Sequence, residues 1–557
     1  MLCMQSMTEA GGAGLSRRGF LRLAAITGVA VSSSGLLTAC APQVATSTVL
    51  RVGSTTDIDS LNPFTAFSSQ AVDVLSVVYD KLMDLDATFA IIPSLASAVE
   101  RSSDGTTFTY TLREGVTWHD GQPFSADDVV FTLTMLRDHN YGSYGAYFAD
   151  LKHVTATGAN SVRLVYSVPQ TLEPGVIAPI VPKHIWSKLS SGQLLKFANQ
   201  QAIGTGPFRD PVWTKGSLVE VTRNDSWWGT KPAASKISWS VFGNDDIVAQ
   251  ALRTGSIDLV AEIPPVIFGQ LAGAQNLHLA EAESFSFHMI GFNCSTKSAS
   301  KANRAVLDKN FRQALSLAIS RQQLVELALS GHGEPGADLL PPAFGDYHWA
   351  PTGSQVLDND PARAKALLAA SGYKDRDGDG YVEDPNGRKL SLRILAIADT
   401  TVDVKAAQLF VSAAKAVGVK ITLSTTDADT LGSTVYNTDA PDWDIMVWGW
   451  DSTFDDPSYL LGIPTTDQIG GNNDTFWTDP TYDKLYNQQA RTVDHAARVA
   501  LVQQMQQLHY DACPYIVMWY QKKLSGWRTD TWTGWHEMAG GPILNFTRAN
   551  YMDVRAV

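Results

Sequence analysis

Hydrophobic and polar positions alternate in "TVLRVG" at residues 48–53, and again in "FTYTL" at 108–112 and "SLVEVTRN" at 217–224. A period of two predicts strands at all three. In "AVDVLSVVYDKLMDLD", residues 71–86, the spacing becomes helical. Further on, helical runs feed straight into apolar ones: "DIVAQALRTGS" into "IDLV", and "VDVKAAQLFVSAAKAVG" into "VKITLS", the latter preceded by "LSLRILAIA". Strand, helix, strand in that order predicts right-handed crossovers and a mainly parallel sheet flanked by helices. "WDIMVWGW", 443–450, reads as another strand, and "FRQALSLAISRQQLVELALS", 311–330, as one helix. "DPARAKALLAASG" carries its own punctuation, with Asp360 as N-cap, Pro361 in the first turn and Gly372 just past the end. No repeat of 20 to 50 residues is visible, which argues against a solenoid or propeller.

The first 39 residues do not join this pattern. "SRRGFL" precedes a short apolar core broken by Gly28, Gly35 and three serines, and the run closes on "LTAC" at Cys40. A charged start, a short core and small residues before a cut describe an export signal rather than a membrane span. The arginine pair resembles a twin-arginine address, and "LTAC" resembles a bacterial lipobox, in which Cys40 is acylated and becomes the first mature residue. Two or more acyl chains anchor stably, at about 0.8 kcal/mol per buried CH₂. Residues 40–46 then form a linker.

Net charge is −13 over 557 residues, which excludes nucleic acid and anionic lipid surfaces as natural partners. Four cysteines include the tether; Cys294 and Cys513 are open either to pairing or to lying buried as free thiols. With 15 Trp and 17 Tyr there is aromatic area for a stacking cavity as well as a core.

Catalytic machinery is hard to find. There is no HExxH, GxSxG or GxxxxGK, and "GHGEPG" at 331–336 fits a dinucleotide fingerprint only in letters, since it follows a helix. His119 beside Asp120 reads as a loop histidine making structural hydrogen bonds, because no nucleophile or metal-ligand partner stands at a useful spacing. One stretch does suit a metal: in "YKDRDGDGYVEDPNG" Asp375, Asp377 and Asp379 alternate ahead of Gly380, with Tyr381 and Glu383 completing an oxygen-rich set. This is the spacing of a calcium loop, although Asn386 stands where such a loop ends in glutamate. Calcium there would stiffen the loop.

"SSDGTTFTYTLREGVTWHDGQPFSADDVVFTL", 102–133, resembles the signature region of the family 5 extracellular solute-binding proteins, the peptide- and nickel-binding receptors of ATP-driven importers. "LRVGSTTDIDSLNPF", "VPKHIW", "IGTGPF", "SWWGTKP", "ALRTGSIDL", "GFN", "FRQALSLAISR", "ARAKALLAASGY", "WGWDSTFDDPSYL" and "CPYIVMWY" continue the resemblance in order. It implies an α/β fold of two periplasmic-binding-protein-like lobes (type II, large class with an extra subdomain) joined by a hinge. Lobe I is expected over 47–288 plus 520–557, with an inserted subdomain at about 96–200, and lobe II over 289–519. It also implies no enzymatic activity, a monomer held at the outer face of the cytoplasmic membrane, and permease partners. The solute, caught by lobe closure, is expected to be an oligopeptide ahead of an oligosaccharide or metal chelate; an exported hydrolase is the alternative from another class.

Ligands of open α/β sheets sit beyond the carboxyl ends of strands. That singles out Trp450, Asp451, Thr453 and Asp455 after "WDIMVWGW", with Trp448 on the same side as Trp450 but equally suited to the core. From the other lobe it singles out Thr55, Thr56 and Asp57, and from "GFN" Asn293. In peptide-binding members an aspartate ahead of the "DP" pair holds the ligand's amino terminus. Aligned on Asp456 and Pro457, that place falls to Thr453, two residues from Asp451. Trp519 and Tyr520 are hinge or core.

Overall fold

The computed structural model describes residues 48–139, 142–452, 456–543 and 547–557. The export signal, Cys40, the linker, Thr453 and Asp455 lie outside the described residues.

Alternation in "VLRVGS" turns Leu50 and Val52 inward and makes Val49–Ser54 a central strand. It pairs in parallel with Lys236–Val241 on one side and Leu259–Val260 on the other, and the helix Asp245–Thr254 connects those two flanking strands. Among the described residues this core extends to seven strands, in the order Leu277–Ala282, Lys523–Arg528, Leu259–Val260, Val49–Ser54, Lys236–Val241, Leu218–Arg223, Phe208–Thr214. A second, six-stranded sheet runs Gly333–Pro335, Tyr515–Gln521, Ser286–Phe292, Ile445–Asp451, Leu392–Ile397, Ile421–Thr426. Its parallel part is the expected strand, helix Thr401–Ala416 and strand unit next to Ile445–Asp451. The sheets are therefore mixed rather than mainly parallel: antiparallel strands, most of them distant along the chain, flank each three-stranded parallel core. A four-stranded antiparallel sheet, Ala96–Arg101 to Tyr166, stands apart from both.

These two large sheets belong to two lobes. Among the described residues the chain crosses between them twice, from Ala282 to Ser286 and from Gln521 to Lys523. The crossovers run side by side, tied by the Ser284 hydroxyl donating to the Gln521 carbonyl at 2.5 Å.

Two helices are shorter than their periodicity predicts. Helix Ser69–Val78 ends where Gly206 donates its backbone N–H to the Val78 carbonyl; Met83–Leu85 then forms a strand. A Cβ on Gly204 or Gly206 would collide with the Val78 carbonyl, which is why "IGTGPF" needs its glycines. The run 311–330 is two helices, Lys309–Ala318 and Arg321–Ala328, broken at Ile319 where Ser320 caps the second. Asp360 caps its helix as its position suggests.

Candidate functional site

Between the lobes, against the two crossovers, lies a cavity of about 540 Å³, adjoined by a second of about 350 Å³ with which it shares Glu262, Thr400, Asp451, Gln521 and Lys523. Strand ends and the loops behind them build it, as sheet geometry requires: Ser54 to Thr56 after the first strand, Glu262 after Leu259–Val260, and Asp451 at the end of Ile445–Asp451. Helix Ser69–Val78 contributes Gln70 and Asp73.

On the lobe II wall, Trp448 and Trp450 share a side of their strand, and both are half-buried. Asp474, fully buried, receives both indole N–H groups on one oxygen, at 2.8 Å from Trp448 and 3.0 Å from Trp450, while Tyr515 donates to the other. Burial pushes the Asp474 carboxyl up to about 6, although those three donors hold it down. Tyr436 packs on Trp448 and Tyr459 on Trp450, so the wall is a run of rings in which both indole N–H groups are spent. It offers faces to a solute, and no indole hydrogen bond. Deeper in, His288 Nδ1 meets Asp403 at 2.8 Å and its ring stacks on Trp519.

The Lys523 ammonium spans the lobes, 3.7 Å from Glu262 of lobe I and 3.8 Å from Asp451 of lobe II. Burial works against its charge, but the two carboxylates win and raise its pKa. Asp451, exposed at the cavity mouth, titrates above the usual range because the surrounding protein partly desolvates it and Glu262 faces it, with Lys523 opposing the shift.

Several expected site residues are placed differently. Asn293 is fully buried: it donates to the Trp443 carbonyl and accepts from Ser295, leaving nothing to offer a solute. Asp57 turns away from the cavity to accept from Trp213 Nε1 and the Gly216 backbone, pinning a hairpin. Thr55 and Thr56 do line the cavity, as do Trp450 and Asp451. Trp519 and Tyr520 are core. His119 is buried between Gly204 and Gly206, and Asp120 pairs with His184 instead. Cys294 and Cys513 are free, buried thiols. Asp474, Asp73, Glu262 and Lys523 went unnoticed in the sequence; only the proximity of "NNDTFW" to the tryptophan strand along the chain hinted at the first.

In the acidic loop, one oxygen each from Asp375, Asp377, Asp379 and Glu383 lies within 4.8 Å of the others. That is about twice the ~2.4 Å calcium–oxygen distance, so the set fits one ion. Lys389 sits on the outer two, 2.7 Å from Asp377 and 2.8 Å from Asp379, and Glu383 accepts from the Arg376 backbone. Asp384 and Asn386 form the following turn rather than joining the set.

Two lobes, two crossovers and a cavity between them describe a capture protein, and the model of the bacterial extracellular solute-binding proteins, family 5, matches residues 90–472. The chain belongs to this family. Among its family 5 relatives, the oligopeptide-binding protein AppA of Bacillus subtilis is 26% identical over 85% of this chain and 86% of that protein. A di/tripeptide-binding protein of Pseudomonas aeruginosa is 27% identical over 76% and 79%. The fold matches a periplasmic oligopeptide-binding protein from Thermotoga maritima with a TM-score of 0.81 at 21% identity, over 92% of this chain and all of that one. The same Thermotoga protein with mannohexaose bound matches at 0.74. NikZ of Campylobacter jejuni in complex with Ni(L-His) matches at 0.75 and 24% identity, over 91% and 99%. Family 5 is a family of exported solute-binding proteins rather than enzymes.

Proposed function

We propose that this chain is the lipid-anchored capture subunit of an ATP-driven importer, taking up an oligopeptide by lobe closure and passing it unaltered to membrane permeases. The observation that carries the reading is the cavity at the two crossovers, lined from both lobes. A solute there touches both walls only when the lobes approach, so it favours closure by its differential affinity for the closed state. Cys40 supplies the anchor, which keeps the receptor concentrated near its permease without any added contact. The names of the relatives support peptide as the solute. The ring-lined wall favours a second reading, an oligosaccharide stacked on Trp450, in keeping with the sugar-bound Thermotoga protein.

Titration calorimetry with mixed tri- to nonapeptides, alongside solution scattering, tests the function. Saturable binding with compaction, and recovery of intact peptide by mass spectrometry, supports it; hydrolysed peptide, or binding without compaction, overturns it.

The 375–383 loop serves as a calcium clip in this reading. Oxygen chemistry and spacing support it, with Lys389 standing in the ion's place until calcium displaces it. Calcium at 1 mM is expected to raise the melting temperature, and Asp377→Ala to abolish the rise; an unchanged wild-type melt refutes the clip.

A further inference from the structure

Asp73 projects from helix Ser69–Val78 into the floor of the larger cavity. It is only 7% exposed, and Oδ1 has no hydrogen-bond partner among the described residues. A buried carboxyl without a donor is costly, and natural structures seldom keep one without a use. The surrounding side chains make no hydrogen bond to Oδ1: Gln70 is turned to the Ser54 hydroxyl, the Trp239 N–H is given to the Tyr551 hydroxyl, and that hydroxyl, near enough for the Asp73 charge to raise its own pKa, does not reach it.

Charge in the rest of the cavity points the same way. Its other carboxyl groups are Asp245, Glu262, Asp399 and Asp451, against the two ammoniums of Lys522 and Lys523. Lys523 is already shared by Glu262 and Asp451, and Lys522 faces Glu334. A low-dielectric cleft with an excess of one sign focuses its field on whatever enters. Burial pushes Asp73 well above the usual carboxylate range, and Asp245 is raised by its enclosure and by Asp246 and Glu262. Both shifts come from burial, that of Asp245 also from neighbouring negative charge, and a cation entering the cleft would lower them.

We propose that the receptor selects peptides bearing a basic side chain, and that Asp73 is the specificity-determining residue that receives its ammonium or guanidinium. This rests on the peptide-capture reading above. The ring wall of lobe II suits the same guest, since aromatic faces with their N–H groups turned away attract cations.

The test is a charge series of alanine-based tri- and pentapeptides with a central Lys, Ala or Glu, titrated into the receptor at 0.15 M salt. Wild type is expected to bind the Lys peptides at least tenfold more tightly than the Ala peptides, with Glu weakest. Asp73→Asn should cut the Lys-to-Ala ratio below about threefold. Equal binding across the wild-type series overturns the inference but leaves peptide capture standing, and this arm needs no variant to fold. A full Lys preference in Asp73→Asn removes Asp73 from the role. If no peptide binds while mannohexaose does, the peptide reading fails and the inference with it.

Discussion

The indole N–H of Trp450 donates to Asp474 Oδ2 at 3.0 Å, on the same oxygen that holds Trp448. With its nitrogen spent, Trp450 meets a solute through its face alone. Trp450→Ala is therefore expected to weaken binding about tenfold, or 1.4 kcal/mol, and also to lower the melting temperature, because it takes one of three donors from the buried Asp474 carboxyl. Trp450→Phe should keep most of the affinity. A Phe variant as weak as the Ala variant, measured by calorimetry, would show that the indole N–H matters after all.

Asp474 also sets a pH dependence. Its carboxyl rises from the usual 3.8 to about 6 on folding, so the native state holds the proton more tightly than the unfolded chain does. The stabilisation this brings is complete below about pH 4 and is lost as pH rises through about 6. Urea titrations across that window should show wild type losing about 3 kcal/mol relative to its low-pH stability, beyond what other groups contribute. Asp474→Asn should flatten that slope.

Removing Lys523 leaves Glu262 and Asp451 facing each other across the hinge. Lys523→Met is expected to shift the solute-free receptor toward the open form by about 1 kcal/mol, roughly fivefold in the population ratio. Solution scattering at low salt should show a larger radius of gyration, and 1 M salt should reverse it by screening.

Two buried arginines explain the "FRQALSLAISR" motif. Arg321 donates to the Val517 and Leu357 carbonyls at 2.7 Å, and Arg312 to those of Cys513 and Val306 at 2.9 Å, locking helix to strand. Arg321→Ala should cost about 3 kcal/mol in urea unfolding, because it removes a buried guanidinium that donates to both carbonyls and leaves that of Leu357 only the Ser316 hydroxyl.

Both Cys294 and Cys513 are buried, with burial raising each thiol and Cys513 reaching about 12. Neither should react with a maleimide in the native protein, and both should react in 6 M guanidinium.

What the sequence discloses and what it hides follow from distance along the chain. Asp360 caps the helix that follows it by accepting from Arg363, three residues on, and alternation within "VLRVGS" sorts its own faces, so both are legible locally. The Trp448–Trp450 pair is equally local, and its wall was foreseeable. Asp474 lies 24 residues from Trp450, and Lys523 lies 261 from Glu262; no period connects them. Asn293 misled because position after a strand gives proximity to a cleft but not side-chain direction, and its amide is claimed by Trp443. Helix Ser69–Val78 stops early for a tertiary reason, the approach of Gly206 to Val78, which propensity does not contain.

Strand Lys523–Arg528 lies inside the seven-stranded sheet, between Leu277–Ala282 and Leu259–Val260. During synthesis the ribosome delivers its neighbours some 240 residues before it, so the first lobe waits with an open slot until that strand is made. A nascent chain stalled before residue 523 therefore exposes two unpaired strand edges, a template for wrong partners. Closing the first lobe therefore depends on a segment made long after its other strands, and a chain cut before Lys523 should lose the lobe built mostly from residues ahead of 283.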